Sequence, residues 1–278
     1  MRLGLSQWSV RQWFRAGSMD VDQFLKYAKE LGCEGVELLD QFWKDPEEKK
    51  QGPALLKKYG LQLSCYSLSN DFADDDPAKR KAQVDYMRAG IDDVAMLGTK
   101  ISRVFGGNPK EGMSYEKARD YIIEGLKAAS AYASTKGVVL ALENHGRLCG
   151  KADQVLDLIA AVGSKSFRSN PDLANFTGVM DDPVQATRKL AKYTVHVHCK
   201  DILVVPSDQV AQGERARSDG TALRGVALGE GSVDLPACLK ALAEGGFTGF
   251  LSVEYEGRED PQTGVPKSVE YVRKLLRK

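Results

Sequence analysis

The sequence predicts a single-domain (β/α)8 TIM barrel spanning residues 1–278, and two observations carry that prediction. Short β-rich runs alternate with helix-period segments along the whole chain, and eight such runs can be read. The runs are also nearly continuous in apolar residues, as strands covered on both faces of a parallel sheet must be. A doubly wound open sheet is the alternative, which the strand count disfavours.

The predicted strands are RLGLSQ (2–7), GVELLD (35–40), LQLSCYSL (61–68), KISRVFGG (100–107), GVVLALEN (137–144), NFTGVMD (175–181), YTVHVHCKD (193–201) and GFLSVEYE (249–256). Amphipathic helices lie between them. Val21, Phe24, Leu25, Ala28 and Leu31 repeat at helical spacing, and Asp20 with Gln23 forms a capping-box pattern at the start of that helix. Val84, Met87, Ile91, Val94 and Leu97 form a second stripe, and Tyr115, Ala118, Ile122, Leu126 and Ala129 a third. Glycine closes several helices just before the next strand, as in KKYG, MLG and TKG. No linker, repeat or low-complexity tract divides the chain. One long irregular stretch, about 203–232, is expected to be a loop after strand seven serving as a lid or a contact surface.

Composition excludes several classes of function. There are 39 basic and 38 acidic residues, a net charge of +1, with no basic surplus to bind nucleic acid. The five cysteines, at 33, 65, 149, 199 and 238, are scattered and have no CxxC spacing, which reads as buried, reduced thiols in a cytoplasmic protein. Charged residues near the start interrupt any signal-peptide core, and no run approaches a membrane span.

In a barrel of this kind the chemistry gathers where the strands end. Strand five ends in Glu143, strand six in Asp181 followed by Asp182, strand seven in His198 and strand eight in Glu254. Three carboxylates on one rim repel strongly unless a cation or protons neutralise them, so these strand ends predict a metal site. Three carboxylates and one imidazole form a mostly hard donor set. That set favours Mn²⁺, with Mg²⁺ or Co²⁺ also suitable, over the Cys/His surroundings of structural zinc. One divalent ion with open positions can hold adjacent carbonyl and hydroxyl oxygens of a sugar and stabilise an ene-diolate.

The segments LALENHG, NFTGVMD, HVHCKD, LGEGSVD and GFLSVEYEG resemble the sugar phosphate isomerase/epimerase group of the xylose-isomerase-like barrel superfamily. The resemblance covers essentially the whole chain, including GVELLD, SLSNDFA and RVFGG. It implies one divalent metal held by Glu143, Asp181, His198 and Glu254, with Glu143 and Glu254 also acting as acid and base on opposite faces of the substrate. Asp182 serves in place of Asp181 if the strand register shifts by one. The resemblance implies a small sugar or sugar derivative as substrate, and a homo-oligomer, since dimers or tetramers are usual in similar proteins. Two departures bear on substrate. A His three residues after the metal Asp and an Arg six beyond the metal His are common in ketose 3-epimerases, and here those positions are Val184 and Val204. These departures keep a lyase or dehydratase on a keto-sugar, keto-inositol or 3-keto-glycoside in view beside the isomerase. The related endonuclease IV proteins need a three-zinc site, for which three histidines are too few.

Further polar residues complete the expected site. Lys200 shares a face with His198 by strand alternation and is expected to meet substrate. His145, Arg103, Glu37 and Trp8 are placed as substrate contacts, with loop, helix-capping or core roles as their alternatives. His196 is assigned to the layer beneath His198.

Overall fold

A computed structural model describes residues 1–211 and 214–277. Eight parallel strands form the wall: β1 (Arg2–Ser6), β2 (Gly35–Leu39), β3 (Gln62–Ser67), β4 (Ile101–Val104), β5 (Val139–Glu143), β6 (Phe167–Asn170), β7 (Val197–Cys199) and β8 (Phe250–Val253). The ladder runs β6-β5-β4-β3-β2-β1-β8-β7, and isolated parallel bridges from Ser169 to Thr194 and from Asp172 to His198 join its two ends. The result is a single TIM barrel. Its outer ring is α1 (Val21–Glu30), α2 (Pro46–Tyr59), α3 (Pro77–Leu97), α4 (Tyr115–Thr135), α5 (Ala152–Val162), α6 (Pro183–Leu190), α7 (Leu235–Glu244) and α8 (Pro261–Leu276).

Local chemistry sets the boundaries of these elements. Asp20 and Gln23 form the expected capping box on α1. Asp45, Asp76, Asp182, Asp234 and Asp260 cap five other helices, each with proline at the start. Gly60, Gly98 and Gly163 end α2, α3 and α5 in the left-handed conformation.

Strand six differs from expectation. NFTGVMD is not a strand: Asn175–Gly178 is a single helical turn, and the sixth strand is Phe167–Asn170, earlier in the chain. FRSN has one apolar residue, so hydrophobic patterning does not mark it. Phe176, wholly buried in the turn, lends NFTGVMD the apolar look of a strand.

The segment between β7 and α7 is not wholly irregular. Ile202–Val205, Arg215–Ala216 and Ala222–Gly225 build a small antiparallel sheet. Asp201 ties its return to the end of β7, accepting the backbone N–H groups of Ile202, Gly229, Gly231 and Val233 at 2.9–3.2 Å. A Cβ on Gly231 would fall 2.0 Å from the Asp201 carboxylate, so the LGEGSVD turn needs glycine there.

Side chains facing the helices form the apolar core, among them Val36, Leu38, Tyr66 and Val197. The alternate residues point into the barrel, and near its C-terminal end they are polar: Glu37, Ser67, Asn170, His196, His198 and Ser252, all buried.

Candidate metal centre

Four metal-capable groups converge at the C-terminal rim. Glu143 ends β5, Asp172 lies two residues past β6, His198 is central in β7 and Glu254 follows β8. Each is buried, and one donor atom from each lies within 4.8 Å of all the others. Nδ1 of His198 is 3.0 Å from Glu254 Oε2 and 3.6 Å from Glu143 Oε2. Asp172, which the sequence reading missed, enters through the backbone. Its neighbours pair with β7, His198 N–H donating to Pro171 O at 3.0 Å and Leu173 N–H to His198 O at 3.1 Å.

Each acid is held by named partners. Asp172 Oδ1 accepts the N–H groups of Ala174 and Asn175 at 2.9 and 3.0 Å, leaving Oδ2 to face the centre, where Lys200 Nζ lies 2.7 Å from it. Asn144 brackets the Asp172 backbone, accepting its N–H at 2.6 Å and donating to its carbonyl at 3.0 Å. Asn175 Nδ2 donates to Glu143 Oε1 at 3.1 Å, and Arg103 Nε lies 3.3 Å from Glu143 Oε2. Arg103 is itself braced by a bond to Leu68 O and lies 4.0 Å over the Phe105 ring.

Beneath the rim, Nε2 of His198 meets Glu37 Oε1 at 3.0 Å. Glu37 also takes hydrogen bonds from Ser67 and from Ser252, and lies 3.5 Å from His196 Nε2. With Nε2 sharing its proton with Glu37, Nδ1 is the nitrogen that faces the carboxylates and, once deprotonated, the one able to ligate an ion. Glu37, expected from the sequence among the substrate contacts, is wholly buried, does not line the cavity and meets His198 from below.

The charges confirm how tightly the groups interact. Burial alone would raise the Glu37 and Glu143 carboxyls. His198 and His196 hold Glu37 low, and His198 and Arg103 do the same for Glu143. Burial alone would lower His198, yet Glu37, Glu254 and Glu143 hold its imidazole well above the usual value. Asp172 behaves oppositely: burial, helped by Glu254 and Glu143 and opposed by Lys200, pushes it up to about 7. Glu256 is drawn down to about 2, against the effect of its burial, by Lys200 and by the Trp8 hydrogen bond.

This donor set fits a divalent cation. Three carboxylates crowd one imidazole, and the buried oxygens Asp172 Oδ2 and Glu254 Oε2 lack a hydrogen-bond partner of good geometry. Buried acids of this kind call for a counter-charge, which Lys200 at 2.7 Å from Asp172 Oδ2 and His198 at 3.0 Å from Glu254 Oε2 supply in this structure and a divalent ion could supply in their place.

A cavity of about 260 Å³ opens above the four groups, with Glu143 and Glu254 in its floor. Trp8, Arg103, His145 and Lys200, expected from the sequence as substrate contacts, line it together with Gln41, Ser69, Phe105, Asn175 and Glu256. Trp8 presents its ring as a wall and donates from Nε1 to Glu256 at 2.6 Å, while the His145 ring packs 4.9 Å from Phe105. Trp13 instead packs edge-on against Tyr27 away from the cavity, and Asn70 braces Phe105 by two backbone hydrogen bonds. A larger hollow of about 630 Å³ lies outside the rim, where Asp20 and Asp45 are occupied as helix caps.

Asp181 is not brought to the centre. Its Oδ2 accepts the N–H of Ala152 at 2.9 Å, at the start of α5, and Asp182 caps α6. The reason is the displaced sixth strand: the residue beyond Asn170 and Pro171 is Asp172. A helix-ending Gly163 followed by the short run FRSN before Pro171 and Asp172 was the available signal, weak because the run is mostly polar.

A closed parallel barrel with a buried acid–imidazole cluster at the C-terminal ends of its strands defines the class of protein. Residues 25–275 match the profile of the xylose isomerase-like TIM barrel, and the chain belongs to that family. It is 32% identical over 260 residues to the rhizopine catabolism protein MocC of Rhizobium meliloti, covering 90% of this chain and 78% of that protein. It is 24% identical over 269 residues to the L-ribulose-5-phosphate 3-epimerase UlaE of Escherichia coli, covering 91% and 89%. Among solved structures, the IOLI protein with a bound zinc atom superposes with a TM-score of 0.79 at 16% identity, over 99% and 96% of the two chains. Among the described residues no helix is long and apolar enough to cross a membrane. All five cysteines are buried and free.

Proposed function

We propose that this chain is a divalent-metal-dependent sugar isomerase or epimerase, with Mn²⁺ as its metal, working in the cytoplasm. One observation carries the reading: Glu143 and Glu254 approach the same imidazole nitrogen from β5 and β8, and both form the floor of one small cavity. Glu143, Asp172, His198 and Glu254 would hold the ion, which supplies positive charge against the oxyanion that develops when a carbon beside a carbonyl loses its proton.

The chain's own groups supply the rest. Glu143, kept ionised by His198 and Arg103, stands in the cavity floor as the candidate base, and Glu254 faces the same volume as the candidate acid. Asn175 and Arg103 fix the Glu143 carboxylate, and the Trp8 ring gives a sugar an apolar face to lie on. At about 260 Å³ the cavity lies just below the usual ~300–1,000 Å³ of ligand pockets, which suits a substrate the size of one sugar ring. UlaE, a relative over most of its length, is named as a sugar-phosphate 3-epimerase, which supports the same chemistry.

A lyase acting on a keto-sugar, keto-inositol or 3-keto-glycoside is the second reading. It is favoured by Val204, which stands where an Arg was expected and does not line the cavity, and by Asn175, which, with Asp172 as the site's aspartate, holds the place of the expected His in place of Val184. The test is a panel of ketoses and 3-keto-sugars incubated in D₂O with Mn²⁺-loaded protein. Deuterium entering recovered sugar without elimination supports the isomerase. Net loss of water or an aglycone supports the lyase. Full turnover by both Glu143→Gln and Glu254→Gln would sink either.

A further inference from the structure

Lys200 is the one buried ammonium among the described groups of this centre. Its side chain is 6% exposed, and strand alternation places it one pleat beyond His198 on the same inward face. Its Nζ lies 2.7 Å from Asp172 Oδ2, 3.2 Å from Glu256 Oε2 and 3.8 Å from Glu254 Oε2. Asp172 Oδ1 is already committed to two backbone N–H groups, so Oδ2 is the oxygen that a cation can use. Lys200 and a metal ion therefore seek the same atom.

We propose that Lys200 is a tethered cation that holds Asp172 when the centre lacks its metal and withdraws onto Glu256 when the ion binds. The receiving seat is already built. Glu256 Oε1 is fixed by Trp8 Nε1 at 2.6 Å, which leaves Oε2 turned toward the ammonium. Without such a stand-in, Glu143, Asp172 and Glu254 would face one another buried, with only His198 and Arg103 to offset them. With a divalent ion present, an ammonium on Asp172 would be a like charge beside it, and a short swing of a flexible side chain relieves that repulsion. The inference rests on the reading of the four groups as a metal site. It adds that the affinity of that site is set partly by a residue that is not a ligand.

The test uses the full chain stripped of metal with EDTA and titrated with MnCl₂ by calorimetry, alongside thermal melts of the stripped protein. Failure of the unaltered protein to bind Mn²⁺, Mg²⁺ or Co²⁺ would overturn the metal reading itself. Given binding, Lys200→Met is expected to lower the melting temperature of the stripped protein while tightening Mn²⁺ about tenfold, within the usual ~5–150-fold span of site coupling. Weaker or unchanged binding in that variant would overturn the competition. Glu256→Gln is expected to weaken Mn²⁺ about fivefold in the native background and to have little effect alongside Lys200→Met. Equal weakening in both backgrounds would show that Glu256 acts through its charge alone and provides no seat. Should Lys200→Met fail to fold, crystal structures of the unaltered protein with and without Mn²⁺ decide the matter. Lys200 leaving Asp172 for Glu256 is the expected result, and Lys200 still bridged to Asp172 with Mn²⁺ bound would overturn the proposal.

Discussion

Glu37 Oε1 lies 3.0 Å from His198 Nε2, with both side chains 1% exposed, on the side of the imidazole away from the cavity. A carboxylate behind a ligating histidine fixes its tautomer and raises its basicity, and loss of such a partner typically costs ~10–100-fold in metal affinity. Glu37→Gln should therefore weaken Mn²⁺ binding by about that factor, measured by competition with a fluorescent chelator. Because Glu37 does not line the cavity, KM at saturating metal should change little. A raised KM with unchanged metal affinity would return Glu37 to a role in substrate binding.

The proton affinity of His198 gives metal binding a direction with pH. Without metal its imidazole is held well above 6.5 despite burial, by Glu37, Glu254 and Glu143. A raised base contributes stability that is complete below its unfolded value and is lost as pH rises through the folded value. Asp172, pushed up from 3.8 to about 7 chiefly by burial, also favours its protonated form, and its contribution is lost as pH rises from about 4 to 7. Both make the stripped protein less stable at pH 8 than at pH 6. Metal needs the neutral imidazole and the ionised acid, so its binding releases protons and strengthens as pH rises. The rise in melting temperature caused by Mn²⁺ should accordingly be larger at pH 8 than at pH 6. Calorimetry in buffers of different ionisation enthalpy should show net proton release, and none would contradict this account.

Asp172→Asn and Asp181→Asn separate the two aspartates that compete for the sixth strand's position in the site. Asp172→Asn should remove measurable Mn²⁺ binding, since it deletes a charged donor from the cluster. Asp181→Asn should leave binding intact and lower stability by up to about 1 kcal/mol, as for a weakened helix cap. The reverse pattern would place the sixth strand at NFTGVMD after all.

This pair also shows where the sequence was legible. Glu143, His198 and Glu254 could be found because each closes an apolar, alternating run, and the period of two gives the facing of its last residue. Lys200 followed from His198 by the same parity. Asp172 could not be found that way. It stands beyond a strand of one apolar and three polar residues, after Pro171, and reaches the centre through backbone pairing with β7 and a turn closed by its own Oδ1. Asn175 comes from a helical turn, where strand parity says nothing. The placement of Glu37 was legible but its depth was not, because the barrel interior below the cavity is filled by polar groups bonded to one another and not by an aliphatic layer.

Arg103 supplies the last prediction, which concerns the base. Its Nε lies 3.3 Å from Glu143 Oε2, and together with His198 it keeps that carboxyl ionised against the effect of burial. Replacing Arg103 with Met removes one of the two cations and leaves burial less opposed, so the Glu143 pKa must rise. A base with a higher pKa is lost at a higher pH. The acidic limb of the pH profile of kcat/KM should then move upward, measured down to the lowest pH at which the protein stays folded. Arg103→Lys retains the charge beside Glu143 but loses the stack on Phe105 and part of the bond to Leu68 O, so it should keep the acidic limb near its original place while lowering kcat through poorer positioning. An acidic limb that is the same in the Met variant and the unaltered protein would mean that Glu143 is not the group whose ionisation governs turnover.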